Sequence, residues 1–179
     1  FGIEAMTIIP APSAFSLAAV RMGWSLPDVE CITVHGRPLE TINLYLRPGA
    51  RLLILSWDGT TPAKLAELLV AKGYPDSPIT ALEYMDGDKE NLIQGTASDW
   101  TVSEAAALNT IALECVAGPN AIAWSRAPGL LEQAFHHDNM ITKREVRAAT
   151  ISALAPLSGE TLWDVGAGSG SVAIEWLRL

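Results

Sequence analysis

Leu52-Leu53-Ile54-Leu55-Ser56-Trp57 is an unbroken apolar run that turns polar only at Ser56. A strand with one wet face alternates apolar and polar residues, so a run without alternation predicts a strand buried on both faces. Thr60-Thr61-Pro62 follows at once. Thr61 is expected to cap a helix with Pro62 at its first position, and Gly73 to end it. Working outward, Thr7-Ile8-Ile9 reads as a short strand entering the turn Pro10-Ala11-Pro12. A helix is expected over about 13–22, opened by Ser13 and stopped by Gly23. Residues 30–35 read as a strand, and Leu39, Ile42 and Leu46 give 38–46 helical spacing. Residues 79–85 and 90–97 flank Asp86-Gly87-Asp88-Lys89, a hairpin signal, and 109–115 read as one more strand. Strands and helices thus alternate over the first ~116 residues and finish antiparallel. This predicts an α/β lobe with a mixed sheet.

Composition narrows the classes. The chain has 179 residues, 49% of them hydrophobic and 18% charged, with a mean hydropathy of +0.23. Such a chain folds, because disorder needs low hydrophobicity and high charge. Its length suits one domain or one and a half. No apolar run reaches the ~18 residues of a membrane span. A net charge of −8 argues against non-specific nucleic-acid binding, which needs a basic face. Six Trp read as packing rather than as a stacking platform. Cys31 and Cys115 cannot form a disulfide framework, which points to a reducing, cytoplasmic setting. No metal is expected. The two thiols lack zinc spacing, His136-His137-Asp138 has no further ligand cluster, and Asp86, Asp88 and Glu90 lack the twelve-residue calcium pattern.

A second pattern begins near Phe135. Residues 117–134, with Gly118-Pro119-Asn120 and Pro128-Gly129, read as a linker with a short helical piece. Thr142-x-x-Glu145 is a capping box predicting a helix with Val146, Ala149, Ala153 and Leu154 on its buried face and Pro156 after it. Thr161-Leu162-Trp163-Asp164-Val165 reads as a strand, and residues from Ser171 as a helix. The expected division is therefore 1–116, 117–134 and 135–179. Phe1 is no start signal, and the chain ends within a helical pattern at Leu179, so an internal fragment of a larger protein is expected.

Between that strand and helix stands Asp164-Val165-Gly166-Ala167-Gly168-Ser169-Gly170. A glycine-rich turn lets a ligand approach the backbone beside a helix start. A dinucleotide fingerprint would need glycine where Ser171 stands. The pattern G-x-G-x-G after an acidic residue resembles the first motif of class I S-adenosylmethionine-dependent methyltransferases. A tight turn of any strand–helix unit remains the plain alternative.

Thr142-Lys143 followed by Glu145-Val146-Arg147-Ala148, together with Trp163-Asp164 and Gly166 to Ser171, resembles the precorrin methyltransferase/decarboxylase module of cobalamin biosynthesis. That resemblance implies that Thr142, Asp164, Gly166, Gly168, Ser169 and Gly170 border the methyl donor. Ile8-Ile9-Pro10-Ala11-Pro12-Ser13, His35-Gly36-Arg37 and Leu82-Glu83 resemble the second lobe of tetrapyrrole methylases. The order is that of a C5-methylating module fused ahead of a C15-methylating, decarboxylating one, a Rossmann-like class I domain of which only the first elements are present. In the first module the resemblance implies donor contacts from Ala11, Ser13, Trp57, Leu82 and Glu83. His35 and Arg37 lie at a strand end, and Arg37 suits a precorrin carboxylate. Ser13 as a plain cap, Trp57 and Leu82 as plain core, Arg37 as a surface arginine and His35 as a hydrogen-bonded strand end are the structural alternatives.

The implied cofactor is S-adenosyl-L-methionine, and the implied partner a tetrapyrrole, with neither nucleic acid nor membrane. A homo-oligomer follows by resemblance, since two-lobe tetrapyrrole methylases are usually dimers. No catalytic triad is found, and no catalytic residue is assigned. Only 9 residues follow Gly170, too few to reach the ribose-binding acid ~20 residues beyond such a turn, so weak or no donor binding by this chain is expected. A nucleotide- or NAD-binding α/β enzyme and a non-catalytic α/β scaffold are the competing readings.

Overall fold

The computed structural model describes residues 2–179, which divide into two compact units, one running to Ala123 and the other Trp124–Leu179. The first unit is built on a mixed five-stranded sheet of order β1-β2-β5-β3-β4. Its strands are β1 (Glu30–Thr33), β2 (Arg51–Leu55), β3 (Pro78–Glu83), β4 (Asn91–Thr96) and β5 (Asn109–Glu114). β1 and β2 are parallel, and the other pairings are antiparallel.

The apolar run at 52–55 behaves as its sequence dictates. Leu52, Leu53 and Ile54 are all fully buried. Side chains alternate across a strand, so these residues serve both faces. Leu52 and Ile54 join Ile42, Leu65, Leu69 and Tyr74 beneath helix α2 (Thr61–Ala71). Leu53 joins Ala18 and Ala19 of helix α1 (Ala14–Met22), with Leu82 and Ala112. The ends of α1 are those expected: the Ser13 hydroxyl accepts from the Ser16 amide at 3.2 Å, and Gly23 closes the helix at φ +64°.

Four local expectations change in this unit. Thr7–Ile9 forms no strand; no described strand pairs with it, and Ile9 is 85% exposed. Residues 39–44 wind as a 3-10 helix, which still buries Ile42. Thr61 is the first helical residue rather than the cap. Its hydroxyl accepts from the Trp57 and Asp58 amides instead, folding the turn that leaves β2. The hairpin strands stop at Glu83 and Asn91, leaving a longer loop with Tyr84 and Asp86 at positive φ.

That loop is tied to α1 by charge. The Glu90 carboxylate accepts from Arg21 Nε at 2.7 Å, Arg21 Nη2 at 2.8 Å and the Asp86 amide at 2.7 Å. The Arg21 hydrogen bonds lead in holding the Glu90 carboxyl down at about 2, against an ordinary 4.5. A depressed carboxyl stabilises the fold above its ordinary value and loses that contribution as pH falls through its folded value. The stability gap between the native chain and Arg21→Gln is therefore expected to shrink below pH 4.5 and close near pH 2. Thermal melts across that range check it; a gap independent of pH contradicts it.

The second unit holds a 3-10 turn at Glu132–Ala134, helix α3 (Arg144–Leu154) and helix α4 (Ser171–Leu177). The capping box does not form. Lys143 is the N-cap without a side-chain bond, and the Arg144 amide bonds Glu132 Oε1 at 3.1 Å. The buried face of α3 is also not the apolar one. Val146, Ala149, Ala153 and Leu154 are exposed, while Arg147 and Ile151, one turn apart, are buried. Thr161–Val165 forms no strand, and Trp163 is 87% exposed. A strand needs a neighbour for its backbone groups, and the described residues of this unit supply none.

Candidate functional site

Strand register gathers the first unit's candidates. Thr33 pairs with Leu55, Leu55 with Thr110, and Glu83 with Asn109. The carboxyl ends of β1, β2 and β3 therefore share one sheet edge, where open α/β sheets bind ligands. His35 follows β1 and Trp57 follows β2, their rings 6.2 Å apart. On the α2 side of this edge a cleft of about 380 Å³ is lined by Arg37, Leu39, Trp57, Asp58, Thr61 and Lys64 among others. On the α1 side a cleft of about 130 Å³ is lined by Ala14, Leu17, Leu82, Tyr84, Met85 and Asn109 among others. Arg37 and Trp57 thus share one cleft and Leu82 borders the other. Ala11 and Ser13 are exposed in the loop leading to α1.

Glu83 is engaged inside the protein. Its carboxylate accepts from the Ala106 amide at 2.5 Å and Asn91 Nδ2 at 2.8 Å. It positions the loop before β5. Sequence reasoning missed the partners of that loop. Ser56 Oγ donates to Asn109 Oδ1 at 2.5 Å, and Asn109 Nδ2 donates to the Ala106 carbonyl at 2.7 Å. The Ala105 amide donates to the Gly59 carbonyl, and a Cβ at Gly59 would stand 2.1 Å from the Ala105 oxygen. The turn after β2 and the loop before β5 are therefore one stitched rim. Within it the Thr60 hydroxyl, 2.7 Å away, leads in holding the Asp58 carboxyl below its ordinary range. Lys64, also missed, puts a second cation beside Arg37 in the larger cleft. Ser56 and Asn109 lie 53 positions apart, so no local signal announced them.

No thiol here is primed as a nucleophile. Burial pushes the Cys115 thiol up to about 11, and burial followed by the Glu30 charge raises that of Cys31. Among the described residues no group of three His, Cys, Asp or Glu could hold a metal.

In the second unit Gly166, Gly168 and Gly170 all take positive φ, at 77°, 55° and 67°. Side-chain-bearing residues avoid that region, so the turn needs glycine for its backbone shape. A Cβ at Gly166 or Gly168 would meet nothing within 4 Å. The cradle is open, with Asp164 exposed beside it and Ser169 half-buried. Thr142 is exposed, and its carbonyl accepts from Arg147 Nη1. Arg147 Nε meets Glu175 Oε1 at 2.8 Å, with both side chains buried. This pair was missed because an arginine in a helix reads as surface.

Residues 133–179 match the model of the precorrin methyltransferase domain. Over 169 residues the chain is 48% identical to a precorrin-6Y C(5,15)-methyltransferase [decarboxylating] from Sinorhizobium, covering 94% of this chain and 41% of that one. Along nearly its whole length the chain is similar to the decarboxylating precorrin-6Y C(5,15)-methyltransferases. The enzyme of that name from Mycobacterium tuberculosis is 40% identical over 182 residues, covering 99% of this chain and 44% of its own. The chain thus spans less than half the length of the curated precorrin-6Y methyltransferases it matches. Among solved structures, the methyltransferase CobJ is 19% identical, covering 61% of this chain and 50% of its own, at a TM-score of 0.47. Both units lie within the stretch matched to the precorrin-6Y methyltransferases, and the glycine turn lies within the matched domain.

Proposed function

We propose that this chain contributes to two S-adenosylmethionine-dependent methyl transfers on one tetrapyrrole, precorrin-6Y. Residues 1–116 serve transfer to C5, residues 135–179 serve transfer to C15 with loss of an acetate carboxyl, and 117–134 link them. The observation that carries this reading is identity to enzymes of that name along 94–99% of the chain, across both units. A cytoplasmic enzyme working as a homo-oligomer fits the reading.

The residues present suit the donor. S-adenosylmethionine supplies an electrophilic methyl on a sulfonium. The glycine turn is open at Gly166 and Gly168, so a ligand can lie against bare backbone there. Asp164, Ser169 and Gly170 border it, and Thr142 completes the set. In the first unit Ala11 and Ser13 belong to the loop beside the donor, and Leu82 to the wall of the α1-side cleft. Trp57 offers an apolar ring at the strand end. Arg37, with Lys64 and His35, suits a substrate rich in carboxylates, since a guanidinium fork pairs with a carboxylate through two bonds. Glu83 acts through the loop it holds. Alignment of nucleophilic carbon, methyl and sulfur carries the reaction, and such positioning contributes ~7–11 kcal/mol. Methyl transfer would leave the C–S electron pair on sulfur, and loss of CO2 would leave the pair of the broken bond on the side-chain methylene, which takes up a proton.

The test splices this chain into the Sinorhizobium relative in place of the 169 residues it matches. The spliced enzyme, given precorrin-6Y and S-adenosylmethionine, is expected to methylate C5 and C15 and release CO2. A folded spliced enzyme that transfers no methyl group contradicts the reading.

A further inference from the structure

We propose that Arg147 is a positioning residue for the C15 transfer, setting the separation of Thr142 from the helix that follows the glycine turn. This rests on the reading of residues 164–170 as the donor turn. The Arg147 side chain is fully buried, and its fork is spent in three directions. Nε donates to Glu175 of α4 at 2.8 Å, Nη1 to the Thr142 carbonyl and Nη2 to the Leu130 carbonyl. The Phe135 ring lies 4.6 Å from the guanidinium. Glu175 in turn accepts from the Gly129 amide at 2.6 Å and the Leu130 amide at 3.0 Å. The pair therefore joins residues 129–130, Thr142, α3 and α4. The turn is bound to α4 through the Ile174 amide, which donates to the Gly170 carbonyl at 2.8 Å.

Stability alone is a poor reason for this arrangement. A well-packed apolar pair of similar volume serves as well as a buried ion pair or better. Leu130, Phe135 and Ile151 are already the buried apolar side chains of this unit, and two more would enlarge their cluster. A directional fork supplies what an apolar pair lacks, a fixed geometry between polar backbone atoms. Here the fork fixes the Thr142 and Leu130 carbonyls relative to the Glu175 carboxylate of α4, the helix that follows the donor turn.

The test uses the spliced enzyme with Arg147→Met/Glu175→Leu together, and separately with Arg147→Lys. Both replace the fork without leaving a bare buried charge. C5 and C15 products are quantified separately against S-adenosylmethionine concentration, with thermal unfolding recorded alongside. Each variant is expected to raise the KM for S-adenosylmethionine in C15 transfer, by up to the ~100-fold that a misplacement of about 1 Å can cost. C5 transfer serves as the internal reference, and thermal unfolding shows whether each variant is folded. Unaltered C15 KM in a folded variant overturns the proposal, and Arg147→Lys decides if the double variant unfolds. Loss of C15 transfer already in the unsubstituted spliced enzyme overturns the donor-turn reading and this proposal with it.

Discussion

Arg147→Ala is expected to unfold residues 124–179 while the sheet unit stays folded. Removing one partner of a buried ion pair leaves the other charge uncompensated, a loss of about 3–5 kcal/mol. Here Glu175, nearly inaccessible, would lose its partner, and the Leu130 and Thr142 carbonyls would lose their donor. A unit this small gains little elsewhere, since a core below ~70 residues rarely supplies more than ~3–5 kcal/mol. The loss therefore matches the whole margin. Amide exchange resolved by residue is the check. Protection across α3 and α4 should vanish while that of β2 and β5 persists. Native-like protection in α3 would contradict the keystone role of Arg147.

Leu53→Ala is expected to destabilise the first unit by about 2–5 kcal/mol. Leu53 is fully buried, and its neighbours Ala18, Ala19 and Ala112 are small. Those short side chains cannot reach into the space left, so closing it falls to Leu82 and to Met22 and Met85 of the same cluster. The same truncation at the exposed Ile8 is expected to stay within about 0.5 kcal/mol. Urea unfolding of the two variants, with unchanged slopes, gives the comparison. A Leu53→Ala effect no larger than that of Ile8→Ala would contradict the packing described.

Legibility in the sequence followed locality. The strand at 52–55 was readable because burial on both faces leaves no room for a polar residue. Helix α1 was readable because Ser13 and Gly23 act within one turn of its ends. Thr161–Val165 was not, because a strand exists only with a neighbour. The face of α3 was misjudged because amphipathic reading assumes that apolar residues go inside. There Arg147 goes inside, with Glu175 waiting 28 positions away. Of the candidate site, local chemistry marks the strand-end residues His35 and Arg37 and the glycine turn, whereas Trp57 is named only through the resemblance to tetrapyrrole methylases. The partners that shape their surroundings, Asn109 for Ser56 and Ala106 for Glu83, become neighbours only when the sheet forms. Lys64 reads in isolation as an ordinary surface cation of a helix.

The glycine turn is where the reading is most exposed. Gly168 sits at φ +55°, a conformation that a β-branched residue rejects. In the spliced enzyme Gly168→Val should yield a product methylated at C5 that keeps its acetate carboxyl, read by mass spectrometry and carbon NMR of the tetrapyrrole. A product methylated at both carbons and stripped of that carboxyl at the unsubstituted rate would mean that the methyl donor for C15 does not lie on this turn.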